Sequence, residues 1–267
     1  MLVLFLIVAG IFLFFEESGR DTVKKSPGPV KSTVKTRPVQ KEPAANKLPK
    51  VAIIMDDLGP NRKTAERVLE LNAPLTLSIL PHETYSKWIA KQGHKLGHDI
   101  IAHIPMEAVT PQNLGKGALK TGMSSKDIAL ILAGDIGSVP HISGINNHMG
   151  SAFTKDEKAM RAVIMELKKH RLFFLDSLTT GKSVAYKLAK DGGLAALRRD
   201  VFLDNDDDLQ KIEVQWKRLV KIARKKGYAI ALAHPRKNTV KFLQKKIENN
   251  KDVTIVPITE LISENNK

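Results

Sequence analysis

The sequence contains no cysteine and few aromatic residues. Among 267 residues there are 2 Trp, 3 Tyr and 9 Phe. Without cysteine there can be no disulfide, thiolate metal ligand or cysteine nucleophile, so any metal must be held by His, Asp or Glu. The formal net charge of +15 suits an anionic surface, but scattered basic residues and scarce aromatics argue against the stacking platforms of single-strand binders. We therefore predict no nucleic-acid partner, and no obligate protein partner is evident.

The chain also lacks an apolar run long enough for a full membrane span. Its longest run, Leu2 to Phe15, has 14 residues, whereas a spanning helix needs about 20. Residues 1–15 are therefore predicted to be a signal peptide or short anchor. Glu16 and Glu17 stand where a small-residue cleavage site would be expected, which favours an uncleaved anchor. We expect the protein to be exported and anchored to the membrane, facing the periplasm or cell exterior. It would be secreted if the segment is cleaved.

Residues 16–49 show no apolar periodicity and are rich in lysine and proline. The prolines exclude a continuous helix or central strand. We predict a disordered linker that holds the remainder of the chain away from the membrane. The single folded domain is predicted to comprise residues 50–264.

Within this domain, short apolar strands alternate with amphipathic helices. This order predicts an α/β fold with a parallel sheet, and about seven or eight such units in roughly 210 residues favour a compact βα barrel. Thr154 and Glu157 predict a capping box before one helix. The predicted strands are Val51–Met55, Leu75–Leu80, Asp99–His103, Ile142–Ile145, Leu172–Leu175, Val201–Leu203, Tyr228–Ala233 and Val253–Val256. The predicted helices include Arg62–Leu71, Tyr85–Leu96, Ser125–Ile136, Asp156–His170, Leu209–Lys226 and Thr239–Glu248.

Polar residues follow most of the predicted strands. Taken alone, an Asp pair often caps a helix, and a single strand-end histidine is usually structural. The carboxyl ends of parallel strands meet at one face, however, where active sites form. Several His and Asp residues there predict a hydrolytic site for Zn²⁺ or a similar divalent ion. The strand ends read Asp56-Asp57, Pro81-His82, His103, Asn146-Asn147-His148, Asp176-Ser177, Asp204-Asn205 and His234-Pro235.

These segments resemble the divergent polysaccharide deacetylases, relatives of the NodB-type carbohydrate deacetylases. The resemblance extends from about residue 50 to 262 and implies a distorted, roughly seven-stranded βα barrel. It also implies metal-dependent deacetylation of an extracytoplasmic polysaccharide or cell-wall glycan, with water attacking an acetyl carbonyl. The matching segments are 54–59 (IMDDLG), 102–107 (AHIPME), 144–151 (GINNHMGS), 174–177 (FLDS), 199–205 (RDVFLDN) and 233–235 (AHP).

The resemblance implies roles for individual residues. Asp56 matches the general base, Asp57 and His103 match metal ligands, and His234 matches the general acid. The relatives carry a second histidine four residues after the first, whereas this chain has Glu107 there. Either His148 supplies the third ligand while Glu107 turns toward substrate, or Glu107 is the ligand and His148 supports it. We favour His148, because a neutral imidazole keeps the charge of the site closer to that of the relatives.

Other residues are predicted to support the site. Asp176 is expected to orient His234 and keep it protonated. Asn146 and Asn147 stand where the relatives place an arginine near the base, and Arg199 could substitute from another strand. These differences motivate an alternative function, an inactive glycan-binding or scaffold protein that retains the fold. The predicted substrate-binding or supporting residues are Glu107, Asn147, Asp176, Arg199 and Asp204.

Overall fold

The computed structural model describes residues 48–266. The predicted anchor and almost all of the predicted linker lie outside these residues, so those boundaries stay predictions. Among residues 48–266, no helix combines the length and apolarity needed to cross a membrane. The strands are β1 (Lys50–Leu58), β2 (Thr76–Ile79), β3 (Asp99–Met106), β4 (Ile142–Met149), β5 (Phe173–Asp176), β6 (Ala196–Arg198), β7 (Val201–Phe202), β8 (Tyr228–Ala233) and β9 (Thr254–Ile255). The helices are α1 (Arg62–Leu69), α2 (Ser86–Lys95), α3 (Ser125–Ser138), α4 (Glu157–His170), α5 (Ala185–Asp191), α6 (Leu209–Lys226), α7 (Lys237–Glu248) and α8 (Ile258–Asn265).

The strands form one parallel sheet that curls on itself. Eight strands follow the order β6-β5-β4-β3-β2-β1-β8-β7, and β9 pairs with the start of β1. The two edge strands, β6 and β7, are separated only by Arg199 and Asp200. Three Cα–Cα steps of 3.8 Å bring these edges within about 11 Å of each other. The prediction of a distorted parallel βα barrel is therefore confirmed, with closure left incomplete between β6 and β7.

Alternating side chains divide the apolar residues of the sheet into two clusters. On β1, Val51, Ile53 and Met55 belong to the larger cluster, which includes the buried faces of the helices, while Ala52 and Ile54 belong to a smaller cluster. The smaller cluster also contains Ile258 and Leu261 of α8, so this helix closes the amino-terminal end of the curled sheet. The polar strand ends are consequently left at the opposite, carboxyl-terminal mouth.

The predicted capping box before α4 is wrong. Asp156 is the N-cap residue, and its carboxylate accepts a hydrogen bond from the backbone N–H of Ala159 at 3.0 Å. Thr154 instead donates its hydroxyl to the carbonyl of Gly150. The spacing between Thr154 and Glu157 suggested the capping box, but the N-cap residue of α4 lies two residues after Thr154.

Candidate metal centre

Two adjacent carboxylates reach the mouth of the barrel because β1 is irregular at its end. In a regular strand, neighbouring side chains point to opposite faces. The pairing of β1 with β2 shifts register between Met55 and Leu58, and Asp57 has a φ of 58°. Asp tolerates this left-handed conformation better than most residues, and such strain is common at functional sites. The irregularity allows both Asp56 and Asp57 to contact groups at the same mouth.

Asp57, His103 and His148 converge from the ends of β1, β3 and β4. Asp57 Oδ1 lies 3.2 Å from His103 Nε2 and 3.0 Å from His148 Nδ1. The two ring nitrogens are 3.2 Å apart. Tetrahedral Zn²⁺ with bonds of about 2.0–2.1 Å separates its ligands by about 3.3–3.4 Å. The three atoms therefore have nearly the spacing of three corners of a zinc coordination tetrahedron.

The ionisation and hydrogen bonding of the Asp57 carboxylate also suit the binding of a cation. Its Oδ1 atom is buried and receives no well-directed hydrogen bond in the described part of the chain. Burial raises the pKa of Asp57, but the contacts with His103 and His148 outweigh this effect and hold the pKa below its usual range. An ionised oxygen and two imidazole nitrogens form the donor set of a divalent metal site. These residues fit a metal ion.

Asn146 links the metal-ligand candidates to Asp56. Its side-chain oxygen accepts hydrogen bonds from His103 Nδ1 at 2.7 Å and Ser78 Oγ at 2.8 Å, and its amide nitrogen donates to Asp56 Oδ1 at 2.8 Å. Asp56 lies beside the three converging atoms, with Oδ1 3.8 Å from His103 Nδ1. In the sequence, Asn146 is identified only as a polar strand-end residue that stands where the relatives have an arginine. Its position two residues before His148 could have placed it on the same strand face.

His234 faces the converging residues from β8. Its Nε2 atom lies 3.7 Å from Asp57 Oδ2. The Asp204 carboxylate binds both His234 Nδ1, at 2.9 Å, and the His234 backbone N–H, at 2.7 Å, and accepts the Thr239 hydroxyl. Burial lowers the pKa of His234, but the contact with Asp204 outweighs it and the net pKa is raised. Asp204 therefore orients this histidine.

Asp176 does not contact His234, which corrects the predicted pairing. Its Oδ1 accepts the backbone N–H of Leu178, and its Oδ2 accepts the Ser183 hydroxyl at 2.7 Å and the Tyr186 N–H. The buried carboxylate thus fixes the loop between β5 and α5. Its role in the structure is to support this loop.

Asp176→Ala is expected to lower the free energy of unfolding by about 2–4 kcal/mol, because three donors lose their shared acceptor. The melting temperature should fall by about 2–4 °C for each kcal/mol, with zinc affinity retained. Scanning calorimetry and a zinc titration measure both quantities, and exposed Asp191→Ala is the control. Unchanged stability together with weaker zinc binding would contradict this structural role.

Glu107 does not join the converging residues. Its carboxylate accepts both the backbone N–H and the hydroxyl of Thr121. The backbone N–H of Glu107 also bonds the Leu119 carbonyl. Glu107 therefore anchors the loop that follows β3, and its carboxylate is not among the converging donor atoms.

Arg199 and Asn147 also support the backbone rather than the converging side chains. The Arg199 guanidinium donates to the carbonyls of Ser177 and Leu178 and lies 4.0 Å from the Phe202 ring centre. It forms no ion pair with Asp56 among the described residues. Asn147 accepts the Ser177 N–H at 2.9 Å and donates to the Met149 carbonyl. Arg199 therefore makes no direct contact that would replace the relatives' arginine beside Asp56, although the charge of Asp56 is close enough to act on its guanidinium.

A cavity of about 180 Å³ opens beside His148. Besides His148, its walls come from Leu80, Pro81, Glu83, Pro105 and residues 113–116. A larger cavity of about 570 Å³ lies between α6 and α7, where no metal-ligand candidates converge. Of these two cavities, the smaller one therefore adjoins the converging residues.

Comparison with known proteins identifies the family. The family model described as divergent polysaccharide deacetylase matches residues 53–262. The uncharacterized protein YibQ of Escherichia coli (strain K12) is 35% identical over 216 residues, covering 80% of this chain and 68% of YibQ. An uncharacterized protein of Haemophilus influenzae (strain ATCC 51907 / DSM 11121 / KW20 / Rd) is 36% identical over 213 residues, covering 79% of this chain and 76% of that protein.

The crystal structure of the uncharacterized protein ATU2773 from Agrobacterium tumefaciens C58 superimposes with a TM-score of 0.77 at 23% identity, covering 82% of this chain and 92% of that chain. The chain belongs to the divergent polysaccharide deacetylase family.

Proposed function

We propose that this protein is a zinc-dependent hydrolase that removes acetyl groups from an extracytoplasmic polysaccharide or cell-wall glycan. The observation that carries the proposal is the convergence of Asp57, His103 and His148, with Asp56 and His234 beside them. Three protein ligands are typical of catalytic zinc sites. The substrate class follows from the family, and export rests on residues 1–15.

Each residue has a chemical task in this proposal. Asp57, His103 and His148 would hold the metal, which when bound supplies Lewis acidity toward an acyl oxygen and water. The Asp56 carboxylate, held by Asn146, is placed to accept the proton of the attacking water. His234 is placed to donate a proton to the departing amine or alkoxide, because neither group leaves readily as an anion.

The test is acetate release from acetylated oligosaccharides by the purified full-length protein. Reaction mixtures would contain acetylated chito-oligosaccharides, acetylated xylan fragments or peptidoglycan fragments, with chelator and then with added zinc. We expect acetate release that chelator abolishes and zinc restores. Failure to release acetate from any of these substrates in a metal-dependent way would overturn the proposal. Glycan binding without turnover that survives Asp56→Ala would support the inactive alternative.

Asp204→Asn is expected to move the alkaline limb of the kcat/KM profile to lower pH. His234 can act as an acid only while it is protonated. The negative charge of Asp204 raises the His234 pKa against the effect of burial, so removing that charge lets the proton leave at lower pH. Acetate-release rates across pH would measure the shift, with exposed Asp191→Asn as the control. An unmoved alkaline limb would argue against His234 as the acid.

A further inference from the structure

The two ends of the Asn146 amide contact groups with different tasks in the proposed site. Asn146 is fully buried on β4. Its oxygen faces His103, whose other ring nitrogen belongs to the converging triad, and its nitrogen faces Asp56. Ser78 on β2 donates its hydroxyl to the same Asn146 oxygen. Side chains from four neighbouring strands therefore meet at one amide.

The chemistry of these partners fixes the direction of the amide. A carboxylate oxygen can only accept a hydrogen bond, so the NH₂ end of Asn146 must face Asp56. The reverse orientation would place the Asn146 oxygen against the Asp56 oxygen, lone pair against lone pair. The Asn146 oxygen can in turn only accept, so His103 must carry its hydrogen on Nδ1. This tautomer leaves the lone pair of His103 Nε2 directed toward Asp57 and His148.

We propose that Asn146 is a positioning residue that sets the metal-binding tautomer of His103 and the orientation of Asp56 through the two ends of one amide. The orientation of Asp56 matters only for catalysis, so this half of the inference rests on the proposed function. The tautomer of His103 matters for metal binding, so this half can be tested even if the protein has no catalytic activity. A neutral amide can hold both groups, because it offers an acceptor to the imidazole and a donor to the carboxylate.

Two substitutions separate these tasks. Asn146→Asp keeps an oxygen that can accept from His103 Nδ1, so zinc affinity should stay equal to or above that of the parent. Its kcat for acetate release should fall by about 10²-fold or more, because a second carboxylate so close to Asp56 either repels the base or shares a proton with it. Asn146→Leu has neither group, so zinc affinity should also fall, by about 10–100-fold.

The matched control is Asn147→Asp. Asn147 is the next residue on β4 and equally buried, but its amide holds the backbone at Ser177 and Met149. This variant should lose stability while keeping the zinc affinity and the His103 tautomer of the parent.

Ring ¹⁵N shifts in the zinc-free protein provide a second readout. They are recorded at a pH alkaline enough to make His103 neutral, because burial lowers the pKa of this histidine but Asp56 and Asp57 outweigh that effect and raise it. His103 should then carry its hydrogen on Nδ1 in the parent and in Asn146→Asp, and on a mixture of both nitrogens in Asn146→Leu.

The measurements distinguish the inference from the proposed function. Equal losses of zinc affinity in Asn146→Asp and Asn146→Leu, or an unchanged His103 tautomer in the folded Asn146→Leu variant, would overturn the positioning of His103. A parent that binds zinc but releases no acetate would refute the proposed function, and with it the Asp56 part. The zinc affinities and ring shifts would still decide the His103 part.

Discussion

Asp56→Asn is expected to lower kcat for acetate release by about 10²–10⁴-fold, the usual contribution of a general base, while zinc stays bound. Asp56 lies beside the three converging donor atoms and is not one of them. The substitution keeps the size of the side chain and an oxygen for the Asn146 amide, but its amide group cannot take a proton from water. The variant therefore separates proton transfer from metal binding.

The measurement combines steady-state acetate release with a zinc competition titration on the same preparation. Asp191→Asn is the control for replacing a carboxylate by an amide, because Asp191 is an exposed partner of Lys187 on α5. This control should match the parent in both assays. Full activity in Asp56→Asn would remove Asp56 as the base, and loss of zinc from this variant would make it a ligand instead.

The sequence predicts the fold and most of the candidate site because both follow from local patterns. Strand–helix alternation identifies the parallel barrel, and polar residues after buried strands identify its mouth. This pattern places Asp57, His103 and His148 at strand ends, whereas the ligand roles of Asp57 and His103 come from the family resemblance and the choice of His148 over Glu107 stays open. The short elements β6, α5 and α8 were missed, because three to eight residues carry too little periodicity to distinguish them from loops.

The partner of His234 could not be predicted, because it depends on which strands are neighbours. Asp176 and Asp204 both follow strands, and the sequence does not specify the order of those strands in the sheet. In the structure, β8 pairs with β7 and β1, whereas β5 lies between β4 and β6. Asp204 follows β7 and therefore lies next to the end of β8. The two-residue β7 strand determines this contact.

The positions of Glu107 and His148 have a similar explanation. Four residues along an extended strand span about 13 Å. Glu107 follows the last residue of β3, so its backbone lies about that far from the backbone of His103. In the pairing of β3 with β4, His103 is opposite Asn146 and Pro105 is opposite His148. His148 is therefore diagonal to His103 on the same face, within reach of a shared ion.

His148→Ala is expected to weaken zinc binding by at least about 10²-fold, more than the loss of a supporting hydrogen bond, because one of three ligands is removed. Acetate release should fall in parallel and recover only partly at high zinc. Glu107→Gln should keep the zinc affinity of the parent, because Glu107 contacts Thr121 and not the triad. Its effect should instead be greater mobility of the loop between β3 and α3.

Zinc affinity measured by competition with a chromophoric chelator decides between these two residues. His94→Ala is the matched control for loss of an imidazole, since His94 lies on the exposed face of α2 and stacks on His141. Circular dichroism would establish that each variant is folded before zinc is added. If Glu107→Gln loses zinc while His148→Ala retains it, the ligand set is Asp57, His103 and Glu107. If neither variant loses zinc, the ion does not bind at this end of β3 and β4, and the proposed catalytic roles of Asp56 and His234 fail with it.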